Sequence, residues 1–224
     1  MLVEAAEGVW RMPAIVPWLI NVYLVRTDDG DVLIDAGTSW VTGRILRALR
    51  GRHLAMVALT HVHPDHQGAA DEVCTRLGVP LACHEADVDV MEGRKPMGPP
   101  SALGSIFRRL WSGPPHPVAL RWRGGETFGE WRVVAAPGHT PGHVVFHRQR
   151  DGTVIVGDVI RNFALRTGMG VLSETPHFFS VDPLENRRSM RRVLELSPRL
   201  MLFGHGPPSE DVAALERLTS RLER

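Results

Sequence analysis

The stretch THVHPDHQG, residues 60–68, places three histidines and one aspartate within six positions. It follows LAMVALT, residues 54–60, a short continuous apolar run that is typical of a strand buried on both faces. Neutral imidazole is the commonest side-chain metal ligand, and two histidines two positions apart can turn toward one point where a strand ends. The sequence therefore predicts a metal site at the end of this strand.

Further ligands must come from downstream, because zinc takes about four donors and a catalytic zinc keeps one position for water. Three other apolar runs end in residues that could supply them. APGHTPGH contains His139 and His143, VIVGDV contains Asp158, and LFGHGPP contains His205. A glycine next to each candidate lets the backbone pack closely against it. Asp65 and His66 offer an oxygen and a nitrogen to a second cation, so the loop can serve two adjacent ions.

The rest of the chain alternates between strand and helix patterns. Strands are predicted over residues 18–27, 31–36, 54–60, 79–84, 118–123, 126–136, 144–147, 153–156 and 199–205. Helices are predicted over 41–49, 69–77, 85–92, 184–196 and 210–222, and Thr38 or Ser39 should cap the first of them. This pattern indicates two packed sheets covered on the outside by helices, in one domain spanning residues 1–224.

Two segments, 93–117 and 161–180, have no regular pattern, and loops of this length are uncommon unless they act as lids or binding elements. We therefore expect 93–117 to be an insertion. Its basic residues and those just after it fit a lid that attracts an anionic substrate, and they fit a solvated surface equally well.

The composition excludes several classes of protein. The hydrophobic fraction of 43% indicates a folded core, and the net charge of +1 gives no field that would attract nucleic acid or an anionic membrane. The two cysteines fit no disulfide framework, and neither a signal peptide nor a spanning helix is evident. We expect a cytoplasmic, soluble protein whose partner is a small molecule, with no nucleic acid or membrane partner.

Taken together, HxHxDH, GHTPGH, GD and GHG, in this order between residues 35 and 205, resemble the metallo-β-lactamase superfamily. The resemblance implies an α/β fold, a four-layer αββα sandwich with the metals at one edge between two sheets. It implies two divalent metal ions, which we expect to be Zn²⁺, although iron and manganese accept the same donors. The implied ligands are His61, His63 and His139 for the first ion, Asp65, His66 and His205 for the second, and Asp158 as the bridge.

The implied activity is that of a metal-dependent hydrolase. Bound metal lowers the pKa of water to about 7, so a hydroxide bridging the two ions would act as the nucleophile. Asp65 would orient that hydroxide and take up its proton, as a catalytic residue. Asp35 in LIDAG matches an aspartate that supports the histidine loop from outside the ligand set, and His143 is expected in a similar supporting position.

Departures from known relatives narrow the substrate. Asp158 argues against β-lactam hydrolysis, and the single helix after His205 argues against glutathione recognition. The only tyrosine, Tyr23, lies in an N-terminal strand, so the tyrosine that assists the leaving group in lactonases of this superfamily has no evident counterpart. The chain is also short for a ribonuclease of this superfamily. A small ester, thioester, lactone or phosphoester remains as the substrate, anionic compounds of these classes included, and its predicted contacts are Arg161, Asn162 and His177.

Two other functions stay open from the sequence. One is a mononuclear iron oxidoreductase resembling the sulfur or persulfide dioxygenases of the superfamily, although the intact pair His66 and His205 counts against it. The other is a metal-binding module without catalytic activity. Metal content and oxygen consumption would separate these functions from the hydrolase.

Overall fold

The computed structural model describes residues 2–13, 18–97, 106, 109–164 and 168–222. Its first sheet has seven strands in chain order. They are β1 (Val3–Ala6), β2 (Val9–Pro13), β3 (Asn21–Thr27), β4 (Gly30–Ile34), β5 (Leu54–Ala58), β6 (Leu81–His84) and β7 (Leu120–Trp122). β1 to β4 pair antiparallel, and β4 to β7 pair parallel. The parallel strands β4, β5 and β6 therefore end at the same edge.

The second sheet has the order β14-β11-β10-β9-β8. Its strands are β8 (Thr127–Phe128), β9 (Trp131–Ala135), β10 (Val144–Arg148), β11 (Thr153–Gly157) and β14 (Leu200–Phe203). β11 and β14 are parallel and end together, whereas β10 runs antiparallel to β11 and begins at that same edge. A separate hairpin is formed by β12 (Ile160–Ala164) and β13 (Gly168–Glu174).

Six α-helices that lie wholly within the described part of the chain flank the sheets. They are α1 (Thr42–Ala48), α2 (Pro64–Gln67), α3 (Ala70–Leu77), α4 (Val88–Met91), α5 (Pro183–Glu195) and α6 (Val212–Leu222). Helix α3 ends at Gly78, whose φ of 66° lies in the left-handed region that glycine adopts easily. Helix α5 begins after Asp182, whose carboxylate accepts a hydrogen bond from the Glu185 amide at 2.9 Å. None of the described helices is both long enough and apolar enough to cross a membrane.

Three apolar clusters separate four layers. The first lies between helices α1, α3 and α4 and one face of the first sheet, and includes Ile45, Val73 and Leu81. The second joins the two sheets and includes Tyr23 and Phe146. The third lies between the second sheet and helices α5 and α6. This order of helix, sheet, sheet and helix confirms the αββα sandwich expected from the sequence.

Several local predictions were wrong. Residues 126–136 form two strands, because Gly129, with a φ of 52°, turns the chain between β8 and β9. The segment 161–180 contains most of the β12–β13 hairpin and a 3₁₀ turn at His177–Phe179, and its mixed polar sequence gave no alternating pattern. Strands β1 and β2 were not predicted. Thr38 and Ser39 do not cap α1, because a 3₁₀ turn, Ser39–Val41, comes first and Val41 occupies the cap position.

The predicted insertion, 93–117, is only partly described. Met97 and Trp111 pack against the first cluster, which ties both ends of the segment to the body of the protein. Residues 98–105 and 107–108 lie outside the described residues, so the lid stays a prediction.

Candidate metal centre

Four chain segments meet at the edge where β5, β11 and β14 end and β10 begins. The loop after β5 carries His61 and His63, and a hydrogen bond of 2.8 Å from the Val144 amide to the Thr60 carbonyl joins the two sheets there. The Gly204 amide, at the end of β14, donates to the Gly157 carbonyl at the end of β11. The topology therefore brings together residues that are far apart in the chain.

Three imidazoles form the first group. His61 Nε2 lies 3.1 Å from His63 Nδ1, and His63 Nδ1 lies 2.8 Å from His139 Nε2. His61 and His139 are each only 1% exposed. Three nitrogens turned toward one point at these separations can hold one cation.

The second group contains carboxylates as well as imidazoles. His205 Nε2 lies 3.3 Å from Asp65 Oδ2 and 3.0 Å from Asp158 Oδ2, and His66 Nε2 lies 3.5 Å from Asp158 Oδ1. Asp158 Oδ2 also lies 3.8 Å from His139 Nε2 in the first group. All seven side chains named from the sequence therefore come together, with Asp158 between the two groups.

The outward ring nitrogen of four of these histidines has a partner. Thr60 Oγ1 lies 3.0 Å from His61 Nδ1, Asp35 Oδ2 lies 2.8 Å from His66 Nδ1, Ser180 Oγ lies 3.3 Å from His139 Nδ1, and the Leu19 carbonyl contacts His205 Nδ1. Such partners fix both the tautomer and the orientation of a ligating ring. Ser180 and Leu19 were missed because nothing near them in the sequence indicates a metal site.

Asp35 supports the histidine loop as the sequence suggested. Besides contacting His66, it accepts hydrogen bonds from the Thr60 amide at 2.8 Å and from the Thr60 hydroxyl. Asp35 has a φ of 59°, a conformation that is costly for residues other than glycine, and these hydrogen bonds hold it there. His143 also lies outside the two groups: its Nε2 accepts a hydrogen bond from the Asp158 amide at 3.0 Å, and its ring stacks on His61.

Asp87 is a supporting residue that sequence analysis missed. Its buried carboxylate accepts hydrogen bonds from the Val62 amide at 3.2 Å, the Thr140 hydroxyl at 2.8 Å and the Gly142 amide at 2.8 Å. It thus ties the loop of His61 to the loop of His139. A carboxylate three residues after the end of β6 was the only signal in the sequence, and its burial could not be foreseen.

Gly204 is required by close packing. A Cβ atom at this position would lie 2.4 Å from Asp158 Oδ1 and 2.7 Å from His66 Cε1. Any side chain here would displace one of those two residues, so the glycine next to His205 leaves room for the second group.

The electrostatics differ between the two groups. Burial lowers the pKa of His61 and His139 far below the ordinary value, and that of His63 to about 4, so these imidazoles are neutral at pH 7. Burial also lowers the pKa of His66, but the carboxylates of Asp35, Asp158 and Asp65 outweigh it and raise that pKa to about 9. The carboxylates of the second group therefore favour positive charge at this position.

A family model for the metallo-beta-lactamase superfamily matches residues 15–205, most of the chain. The chain belongs to this superfamily. The resemblance seen in the histidine, aspartate and glycine motifs is thereby confirmed.

Relatives within the superfamily include proteins described as hydrolases. The probable metallo-hydrolase YflN of Bacillus subtilis is 29% identical over 230 residues, covering 92% of this chain and 86% of YflN. A hydroxyacylglutathione hydrolase of Cereibacter sphaeroides is 29% identical over 215 residues, covering 92% of this chain and 71% of that enzyme. Among solved structures, TTHA1623 in a di-iron-bound form is 30% identical with a TM-score of 0.68, covering 92% of this chain and 96% of that chain.

The residues predicted to contact substrate lie in three different environments. Arg161 is 8% exposed, and its Nε atom is buried without a hydrogen-bond partner among the described residues. Asn162 is also buried, but its amide donates to the Pro207 carbonyl at 2.8 Å. His177 is exposed, and its Nε2 lies 3.3 Å from a Glu174 carboxylate oxygen. Substrate contact by Asn162 and His177 stays a prediction, whereas Arg161 has a buried donor to offer.

Tyr23 takes part in the packing between the two sheets. It is buried between the sheets, and its hydroxyl donates to the Phe203 carbonyl at 2.8 Å. The tyrosine thus supports the end of β14, just before the second group of ligands.

Most of the basic residues in and after the predicted lid have acidic partners. Arg94 pairs with Asp89 and Glu92, Lys95 with Asp89, Arg121 with Glu92, and Arg123 with Glu85. In these exposed ion pairs, carboxylates of the protein itself offset much of the positive charge. They favour the solvated surface over the anion-attracting lid for this part of the segment.

Proposed function

We propose that this superfamily member is a dinuclear metal-dependent hydrolase of a small ester, thioester, lactone or phosphoester. The observation that carries the proposal is the convergence of seven histidine and aspartate side chains into adjoining groups that share Asp158. The hydrolase descriptions of YflN and of the hydroxyacylglutathione hydrolase support the class of reaction.

The chemistry of the donors fits divalent cations. His66 Nε2 and Asp158 Oδ1 are fully buried and have no hydrogen-bond partner among the described residues. Leaving such atoms unsatisfied is costly, and a cation would use both of them as ligands. The neutral imidazoles of the first group have free lone pairs for the same purpose.

The first ion would be held by His61, His63 and His139, the second by Asp65, His66 and His205, with Asp158 shared. When bound, such ions supply Lewis acidity, which lowers the pKa of water toward about 7 and polarises the oxygen under attack. Zinc is the metal we propose, since the set is rich in nitrogen. Iron is the alternative, because TTHA1623 binds two irons.

The protein's own side chains orient the reactants and carry the proton. Asp65 is the carboxylate proposed to accept the proton of the attacking water. Burial alone would raise its pKa, but His66 and His205 outweigh that effect and hold the pKa well below the usual value. Asp65 is therefore ionised at neutral pH. Asp35 and Thr60 keep the histidine rings turned inward while the reaction proceeds.

Metal analysis and a substrate panel test the proposal. We expect two metal ions per chain by mass spectrometry, and turnover within a panel of esters, thioesters, lactones and phosphodiesters. His61→Ala and Asp158→Ala should each lose metal and at least about 100-fold in turnover, since the residues work as one unit. His53→Ala removes an exposed imidazole outside the site and is the matched control.

Other outcomes would assign a different function. Full turnover in either ligand variant would overturn the hydrolase assignment. One iron per chain with oxygen consumption would indicate the dioxygenase, and metal binding without turnover of any compound would indicate a binding module.

A further inference from the structure

Arg161 is a buried cation without a counterion in the described structure. It lies in β12, three positions after Asp158, and its side chain is 8% exposed. Its Nε atom is inaccessible to water and has no hydrogen-bond partner, and none of the ion pairs among residues 2–13, 18–97, 106, 109–164 and 168–222 includes it. A buried guanidinium in this state is costly unless an anion joins it.

The nearest acidic residue on the paired strand is already engaged. Glu174 lies opposite Ile160 in the β12–β13 register. Its two carboxylate oxygens accept hydrogen bonds from Arg187 at 2.9 Å and 3.1 Å, and one of them contacts His177. Both oxygens of Glu174 are therefore engaged by Arg187 and His177, and Arg161 lies opposite Ser173 instead.

Arg161 lies within the electrostatic reach of the metal centre. Burial lowers the pKa of its guanidinium, and the charges of Asp158 and Asp65 act in the opposite direction. Asp65 is 96 positions away in sequence, so this influence reflects proximity in the folded chain. Neither carboxylate forms an ion pair with Arg161, and both face histidines of the second group instead.

The charge balance of a loaded site calls for an additional anion. If two divalent cations bind as proposed above, Asp65 and Asp158 are neutralised by them and cannot also compensate Arg161. Even with a hydroxide between the ions, the two cations, the two carboxylates and the guanidinium leave a net positive charge, and an anionic group of the substrate would reduce it. Guanidinium is well suited to this, because its donors match the planar geometry of a carboxylate and also bind phosphate.

We propose that Arg161 binds a carboxylate or phosphate group of the substrate, so that the enzyme acts on anionic rather than neutral esters and thioesters. This inference rests on the proposed hydrolase function. The adjacent Asn162 has no such role in it, because its amide is committed to the Pro207 carbonyl.

Anion binding to the metal-loaded protein tests the proposal directly. Succinate and inorganic phosphate are titrated separately by calorimetry into wild type, Arg161→Met, Arg161→Lys and Arg132→Met. Methionine keeps much of the length of arginine but offers no donor, and the exposed Arg132 is the matched control. Loss of a charged hydrogen-bond donor should weaken the bound anion by about tenfold or more in Arg161→Met and by less in Arg161→Lys, with no change in Arg132→Met.

The two anions distinguish the chemistry of the ligand. Tighter binding of succinate identifies a carboxylate, and tighter binding of phosphate identifies a phosphate ester. Equal affinities in wild type and Arg161→Met, or binding of neither anion to wild type, would overturn the proposal. Thermal unfolding of each variant shows whether the fold is kept. If Arg161→Met does not fold, the anion affinity of Arg161→Lys compared with wild type tests the proposal.

Neutral and anionic substrates separate this proposal from the hydrolase function. 4-Nitrophenyl butyrate and mono-4-nitrophenyl glutarate share a leaving group and differ chiefly in a terminal carboxylate. Metal binding with equal kcat/KM for both esters, in wild type and in Arg161→Met, would leave the hydrolase intact and overturn the role of Arg161. Failure to bind two metals would overturn the hydrolase function, and the same titrations into the metal-free protein would then report on the guanidinium.

Discussion

Replacing Asp87 by asparagine should weaken the first group of ligands without touching any of them. The carboxylate accepts three hydrogen bonds, from Val62, Thr140 and Gly142, and is 1% exposed. Asparagine has the same shape but only one acceptor oxygen. In either orientation of the amide, its NH₂ group faces the amide N–H of Val62 or of Gly142.

The size of the effect follows from these contacts. One buried backbone donor left without an acceptor costs about 1–3 kcal/mol, and the remaining hydrogen bonds lose their charge. The asparagine avoids the cost of burying a charge, which is the main cause of the raised pKa of Asp87. We expect a net loss of about 2 kcal/mol in the free energy of unfolding. Loosening of the loops should also weaken metal binding by about 10- to 100-fold.

Urea unfolding of the metal-stripped protein and metal competition titrations would measure both quantities. Asp31→Asn is the control, since Asp31 pairs at 2.8 Å with the partly exposed Arg52, and such a pair contributes up to about 1 kcal/mol. Asp31→Asn should bind metal as wild type does. Unchanged metal affinity in Asp87→Asn would refute the positioning role, even if stability fell.

Three further changes have defined outcomes. Gly204→Ala should reduce the metal count by mass spectrometry from two to one per chain, because the new Cβ would lie 2.4 Å from Asp158 Oδ1. Asp182→Ala should lower the free energy of unfolding in urea by about 1 kcal/mol, because α5 loses its N-terminal cap. Asp151→Asn should destabilise the protein at neutral pH, because it removes the carboxylate that pairs at 2.6 Å with the buried Arg148. Burial raises the pKa of Asp151, but the hydrogen bond from Arg148 and the other contacts of the carboxylate outweigh burial and lower that pKa. The stabilisation is therefore present above the ordinary value of 3.8 and is lost as the pH falls through the lower pKa of the folded protein. Urea unfolding of wild type and variant should therefore converge at acid pH, and a difference that persists there would contradict the assignment.

The ligand motifs could be read from the sequence because each is local. His61, His63, Asp65 and His66 lie in one loop, and the other candidates each follow or precede an apolar run. Buried strands have a simple pattern, and parallel strands end at a common edge, so the convergence of their ends followed from the fold class. The order of motifs was sufficient to identify the superfamily.

The β12–β13 hairpin could not be predicted in the same way. Its strands are mixed in polarity, and β13 packs against α6, which lies far along the chain. The two strands pair with each other and β13 also packs against a helix distant in sequence, so neither strand shows the alternation of polar and apolar residues that predicts a strand. Its position decides where Arg161 lies relative to Asp158.

The amino-acid sequence by itself determined the superfamily, the layered fold and the seven candidate ligands, since motif and hydrophobic period are properties of neighbouring residues. Only the tertiary structure decided that Asp87 joins two histidine loops, that Leu19 and Ser180 orient the rings, and that Arg161 Nε is buried without a hydrogen-bond partner in the described part of the chain. The physical reason is that hydrogen bonds and burial depend on which distant segments meet, and packing of the whole chain sets those meetings.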